Sequence, residues 1–473
     1  MDIHCLAQNL QSKGIHYWEY PMVSRAKIKE LMNESACSHS KDKKPGEGCD
    51  KPKPGLAAGG CAFDGAQISL FPYADAVHLV HGPQTCLGAS WETRETKTSY
   101  TGRDHTQMGF TTGITTNDVI FGGDKRLANS IDYVMEHYKP EAIFVYSTCV
   151  TALMGDDIDM TCKQGSDKHG IPIIPVNAPG FVGSKNLGSR LAGEAVLEHL
   201  IGTKEPEYVT NYDINLIGDY NVTGDMWQYL PLFEKIGIRV LSSMSGDGRV
   251  GDIRTAHRAK LNVIVCAKSL ITLTRKMNEQ YAIPWISVSF YGKRDTSFAI
   301  REIVTALGCP DLIARAEAVI AEEEAKLEAA LIPYRLMFSG KKAVLNTGGN
   351  KAWSIASGLQ DLGIEVVATS IAKSTQDDID KAREYLGENG VLMSKPASEQ
   401  GKVIDERGAH ILLAGGRSLY TAIKKKISFI DVNQEKKTSY GGYGGLLNLA
   451  EDLKYAFCNP VFANVGKAAP WDV

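Results

Sequence analysis

A chain of 473 residues with 43% hydrophobic and 23% charged residues is too long for one hydrophobic core and apolar enough to fill several. That balance excludes disorder over most of the length, and a net charge of -3 excludes the basic excess that a nucleic-acid surface needs. No stretch approaches the roughly 18 consecutive apolar residues of a bilayer span, and the start, MDIHCLAQNLQSKGIHYWEY, has no apolar run behind a basic segment, so a cytoplasmic protein is expected.

In chain order, residues 1–59 read as an N-terminal arm. Two short helical stretches are followed by ACSHSKDKKPGEGCDKPKPGLAAGG, whose Pro, Gly and Lys content disfavours any packed element. Cys37, His39 and Cys49 stand here as C-x-H-x9-C. They are either plain exposed or partly buried residues or soft ligands that dock a metal cluster.

From Gly60 onward, short β-rich runs alternate with helical stretches. EAIFVYSTC is followed by VTALMGDDIDMTCKQGSDKHG and then by IPIIPVNAPGF. Strands that are apolar throughout belong to parallel sheets covered on both faces. The alternation restarts at DINLIGDYN and runs through IRVLSSMSGDG, LNVIVCAKS and IPWISVSFYG into the long acidic helix PDLIARAEAVIAEEEAKLEAALIPYRLM. It restarts again at KKAVLNTGGN and continues through IEVVATSIA, VLMSK, AHILLAGGRS and SFIDVN. The expected fold is α/β, with three Rossmann-like domains at 60–207, 208–339 and 340–473 whose parallel sheets are flanked by helices. No GxGxxG or P-loop string occurs, so neither dinucleotide nor ATP binding is supported.

Ten cysteines in a reducing compartment are poor disulfide candidates, which leaves core packing or metal ligation. Cys61 lies in GGCAFDGA, Cys86 in HGPQTC after an apolar run, and Cys149 closes EAIFVYST and opens a helix, where terminal N-H groups favour a thiolate. Any one alone would serve as a small buried hydrophobe. Their shared setting in loop junctions points to ligation instead. Zinc would favour close C-x2-C pairs, which are missing here, whereas an iron-sulfur cluster takes four thiolates. Three leave one position open, and a partner subunit's thiolate is the simplest way to fill it.

At these residues the sequence resembles the nitrogenase component 1 superfamily, and within it the cofactor-assembly scaffolds. The matching strings are GGCAFDGAQI, VHGPQTC, YSTCVTALMGDDI, APGFVGSKNLGSRLAGEA, IGDYNVTGDMW, HRAKLNVIVCAKS, SFYGKRDTS, AGGRSLYTAIKKK and FIDVNQE, within a likeness that runs from about residue 35 to residue 472. The resemblance implies a heterotetramer with a NifN-like subunit and a 4Fe-4S cluster at each interface, ligated from this side by Cys61, Cys86 and Cys149. That cluster would relay electrons from the iron protein.

The resemblance also implies a cavity, closed by the C-terminal segment, in which Cys266 anchors an eight-iron precursor delivered by NifB. Read without the family, Cys266 in LNVIVCAKS is an ordinary core cysteine. Arg94, Gly348, Gly349, Lys351 and Arg417 match positions that face the cofactor in relatives. Cations and backbone N-H groups suit an anionic cluster and homocitrate. Molybdenum and homocitrate would arrive through NifH, and the finished cofactor would pass to apo-nitrogenase component 1.

Two departures separate the chain from the catalytic α subunit. Asn433 replaces the histidine on the molybdenum end, and a neutral amide is a poor ligand beside imidazole. Ser189 replaces a histidine above the reactive iron face and cannot donate protons as imidazole does near neutral pH. Both imply a scaffold that does not turn over N2. The competing readings are a catalytic α subunit of a nitrogenase or nitrogenase-like reductase, and a solute-binding protein with Rossmann-like lobes.

Overall fold

The computed structural model describes residues 60–91, 96–265, 267–372, 374–433 and 436–468. The arm at 1–59, with Cys37, His39 and Cys49, lies outside the described residues. Among the described residues thirteen strands form three sheets, and every pairing within them is parallel. The first sheet contains β1 (Ala76–His81), β2 (Gly109–Thr111), β3 (Ala142–Ser147) and β4 (Ile173–Val176), in the order β2-β1-β3-β4. The second contains β5 (Asp213–Ile217), β6 (Arg239–Met244), β7 (Leu261–Ile264) and β8 (Trp285–Ser287), in the order β6-β5-β7-β8. The third contains β9 (Lys342–Asn346), β10 (Glu365–Ser370), β11 (Val391–Met393), β12 (Ile411–Ala414) and β13 (Ser428–Asp431), in the order β11-β10-β9-β12-β13.

The central strands explain the parallel arrangement. Every residue of β1, β3, β5 and β7 is buried, so both faces of each must be covered by other elements. One core joins the second and third sheets, with Leu216 and Val263 in contact with the cluster that contains Leu345 and Leu413. Another joins the first and second, through Val80 and Tyr146 on one side and Ile217 and Met244 on the other.

Each sheet has one point where the chain reverses its direction of winding, and a crevice opens there at the carboxyl ends of the strands. In the first sheet it lies between β1 and β3, in register at His81 and Ser147. In the second it lies between β5 and β7, in register at Ile217 and Ile264. In the third it lies between β9 and β12, in register at Asn346 and Ala414.

Helices cover these sheets and supply the turns at the strand ends. Among them are α1 (Ala62–Leu70), α2 (Gln84–Trp91), α3 (Thr116–Phe121), α4 (Cys149–Met154), α5 (Lys185–His199), the 29-residue α6 (Pro310–Phe338) and α7 (Lys351–Asp361). The helices α1 and α5 approach closely because each offers a glycine at the crossing. A Cβ on Gly65 would collide with the Lys185 carbonyl, and one on Gly188 with the Ala62 carbonyl. Among the described residues no helix is long and apolar enough to cross a membrane.

Candidate functional site

The crevice of the first sheet gathers three cysteines. After β1 the chain turns through Gly82 and Pro83 into α2, whose third residue is Cys86. After β3, Thr148 caps α4, whose first residue is Cys149. Cys61 comes from a different direction. It is the N-cap of α1, in extended conformation, fixed by an antiparallel bridge to Ser184 and by the Lys185 N-H on the Gly60 carbonyl at 3.0 Å. A Cβ built on Gly180 would stand 3.0 Å from Cys149 Sγ and 3.1 Å from Cys61 Sγ, so both sulfurs flank one spot that only a glycine leaves open. Burial, followed by the nearby Cys149 and Cys61, pushes the Cys86 thiol up. All three thiols therefore share one space, each at the positive end of a helix.

The two loops that carry Cys86 and Cys149 are braced against each other. Thr148 Oγ1 and Thr151 Oγ1 both donate to the His81 carbonyl, at 3.0 and 2.9 Å. The His81 ring, buried, bonds Asp156 at 3.0 Å and Thr112 Oγ1 at 3.1 Å. The other Asp156 oxygen accepts from Gly123 N at 2.9 Å. Burial, offset only in part by Asp156, lowers the His81 pKa and favours the neutral ring. Ser90 on α2 donates to the Gln67 amide oxygen on α1, which ties the two helices together.

Around the thiols the surface is apolar. Cys61 is exposed and Cys86 and Cys149 are half-buried. Leu153, one turn beyond Cys149, is 77% exposed, Phe181 beside Gly180 is 58% exposed, and Phe121 is 84% exposed. Phe121 ends α3, which packs on α4 and buries none of its own side chains. Exposed apolar groups gathered in this way suit contact with another surface. Among the described residues no three His, Cys, Asp or Glu side chains converge on a single ion. Three thiols that share one space are a ligand set that suits an iron-sulfur cluster.

The other two crevices meet. Val265 follows β7, its N-H on the Ile217 carbonyl at 2.8 Å, and directly precedes Cys266. Cys266 itself lies outside the described residues, as does Arg94. After β9, Thr347, Gly348 and Gly349 turn the chain into α7, whose first residue is Lys351. After β12, Gly415, Gly416 and Arg417 make the facing turn. Asn350 donates its amide to the Val265 carbonyl, which joins the turn after β9 to the residue beside Cys266. Lys351 Nζ bonds the Val432 carbonyl at 3.3 Å, and Asn433 lies against Gly415, its Nδ2 2.9 Å from where a Cβ would stand. The Arg417 side chain is exposed. Although Arg94 is not described, Thr96 bonds the Tyr220 carbonyl at 2.7 Å and Thr98 bonds Asp247 at 2.8 Å, so the chain just after it crosses the carboxyl end of the second sheet.

Ser189 lies on α5, which packs against the helix Ala267–Tyr281 that begins directly after Cys266. The Ser189 hydroxyl, 5% exposed as a residue, donates to the Gly65 carbonyl at 3.1 Å and the Lys185 carbonyl at 3.3 Å, and so ties α5 to α1. Sequence reasoning missed a buried charge pair, Lys436 with Asp225, beside the second crevice. Burial works to raise the Asp225 carboxyl, but Lys436 and Lys351 override it and hold it low. Asp225 also accepts from Tyr440 N at 2.7 Å and Gly441 N at 3.2 Å, which pins the segment beyond Asn433. No sequence signal marked Lys436, one of two adjacent lysines in a polar stretch. A separate cleft of about 510 Å³, lined by Tyr212, Lys260, Leu307 and Cys309, opens at the amino end of the second sheet, away from these crevices.

Comparisons with known proteins bear on this arrangement. The family described as nitrogenase component 1 type oxidoreductase matches residues 61–457. A protein of Nostoc sp. named nitrogenase iron-molybdenum cofactor biosynthesis protein NifE is 52% identical, over 95% of this chain and 94% of its own. One of the same name from Klebsiella pneumoniae is 44% identical over 94% of this chain and 99% of its own. Among solved structures, nitrogenase Cp1 at pH 5 superposes with a TM-score of 0.81 at 25% identity, covering 91% of this chain and 94% of that one.

Proposed function

Because the chain belongs to the nitrogenase component 1 family, on the side of its NifE relatives, we propose that it is a scaffold subunit on which the iron-molybdenum cofactor is built. The observation that carries this reading is the division of labour between two crevices. One holds three converging thiols under an apolar rim, and the other holds glycine turns and a lysine beside the residue that precedes Cys266.

At the first crevice, Cys61, Cys86 and Cys149 would hold a 4Fe-4S cluster whose fourth thiolate comes from a NifN-like subunit in a heterotetramer. The open side of the trio and the apolar ring around it support that partner. Such a cluster supplies one-electron transfer. The chain's own part is to orient three sulfurs from helix N-termini and to keep Gly180 clear of them.

At the second crevice, the cargo is an eight-iron precursor delivered by NifB. Cys266 would hold it through one thiolate. Gly348 and Gly349 would offer backbone N-H groups, and Lys351, Arg417 and Arg94 would offset its negative charge and that of homocitrate. Molybdenum and homocitrate come by way of NifH, and the product leaves for apo-nitrogenase component 1. A single covalent tether suits a guest that must depart, and Asn433 adds none. The reading as a catalytic α subunit is not favoured, because identity to the biosynthesis proteins is far higher than to nitrogenase itself.

The test is anaerobic purification with the co-expressed partner, with iron counting and EPR, in the presence and absence of NifB. Roughly four iron atoms per pair without NifB and about eight more with it are expected. Cys266→Ala should abolish the second increment and leave the first signal intact. Loss of both signals together would show that the two crevices are not separate sites.

A further inference from the structure

We propose that the Thr347 hydroxyl is a hydrogen-bond donor reserved for the cargo, an anionic acceptor that is either a cluster sulfide or a carboxylate of the accompanying organic acid. This rests on the scaffold reading above and adds a residue to it. Thr347 is the first residue after β9 and is 5% exposed, and its Oγ1 finds no hydrogen-bond partner among the described residues. The polar side chains on either side of it are satisfied. Asn346 donates to Gln400 at 2.8 Å and to Ser418 at 3.2 Å, and Asn350 donates to the Val265 carbonyl. Ser354 in turn bonds the Asn350 carbonyl at 2.7 Å. A buried hydroxyl without a partner is costly, and native proteins keep few of them.

The setting shows what could satisfy it. Thr347 lies in the turn that opens α7, an 11-residue helix whose first N-H groups favour an anion. Gly349 has φ +63°, and a Cβ added there would meet nothing within 4 Å, so the turn is open on that side. The Asn350 bond to Val265 holds this turn next to the position of Cys266. A hydroxyl donor orients an anion without adding a metal ligand, so it strengthens retention and leaves the guest free to leave.

The experiment uses the chain co-purified with its partner and compares the unsubstituted protein with Thr347→Val, which removes the hydroxyl at nearly constant shape, and Thr347→Ser, which keeps it. Each is loaded with the NifB-derived precursor, either alone or with homocitrate and molybdate supplied through NifH. Thr347→Val should retain about tenfold less precursor after gel filtration, Thr347→Ser should restore retention, and the empty Thr347→Val protein should melt no lower than the unsubstituted one. A loss with precursor alone identifies sulfide as the acceptor, and a loss only in the homocitrate arm identifies carboxylate. Equal retention in both arms, or a lower melting temperature for the empty variant, overturns the proposal while the scaffold reading stands. Absence of precursor uptake by the unsubstituted protein overturns both.

Discussion

The crevice of the first sheet and the joined crevices of the second and third are built from the same element, a strand end turning into a helix, yet they are equipped differently. The first offers three thiols locked by threonine hydroxyls, a buried His81–Asp156 pair and a glycine with no room to spare. The second offers glycine turns, lysines and amides, with open space beside Gly349. Covalent ligands in a braced frame suit a permanent resident, and hydrogen bonds around open space suit a visitor. Strand topology decides where a ligand sits, and the side chains in the turns decide how long it stays.

That contrast can be broken most decisively at the resident site. Cys149→Ala should eliminate the EPR signal of the shared cluster and leave precursor uptake at the second crevice measurable. Survival of the signal would remove Cys149 from the ligand set. Gly180→Val should act next most strongly. Its side chain would occupy the space between two sulfurs, so iron per subunit pair should fall by roughly four while circular dichroism stays unchanged. Unaltered iron would mean that the sulfurs move apart freely.

Gly188→Ala sharpens the comparison from the frame's side. Its methyl group would press on the Ala62 carbonyl, one residue from Cys61, and should cost about 1–3 kcal/mol in chemical denaturation. An unchanged midpoint would show that α1 and α5 have slack. The smallest effect concerns pH. Burial raises the Asp295 carboxyl to about 6. The folded state therefore binds this proton more tightly than the unfolded chain does. Its contribution is fully present below the ordinary carboxylate value of 3.8 and is lost as pH climbs through about 6. Asp295→Asn should flatten that part of the melting-temperature profile by a few degrees at most. A profile of unchanged slope would assign the dependence to other groups.

Much of this was legible in the sequence for definite reasons. Strands such as AIFVYS and ILLA announce a parallel sheet because both faces are apolar, and the glycine turns beside Cys61 and Cys86 announce close backbone approach. Pairings across great chain separations were not legible. Lys436 and Asp225 are 211 residues apart, and Asn350 and Val265 are 85 apart, and no local pattern encodes either. Ser189 illustrates the same limit. Alignment with a ligand-facing position says nothing of the Gly65 carbonyl that engages its hydroxyl. Nor could spacing reveal that Thr347 is left without a bond among the described residues while Asn346 and Asn350 are satisfied.

The helix Thr116–Phe121 keeps no side chain inside, and its far end is anchored through Gly123 to Asp156. A lone copy of this chain would thus present a sticky face to the cell, prone to clumping with whatever greasy surface it meets first. Under the scaffold reading proposed above, production in step with a companion subunit would serve solubility as well as cluster binding.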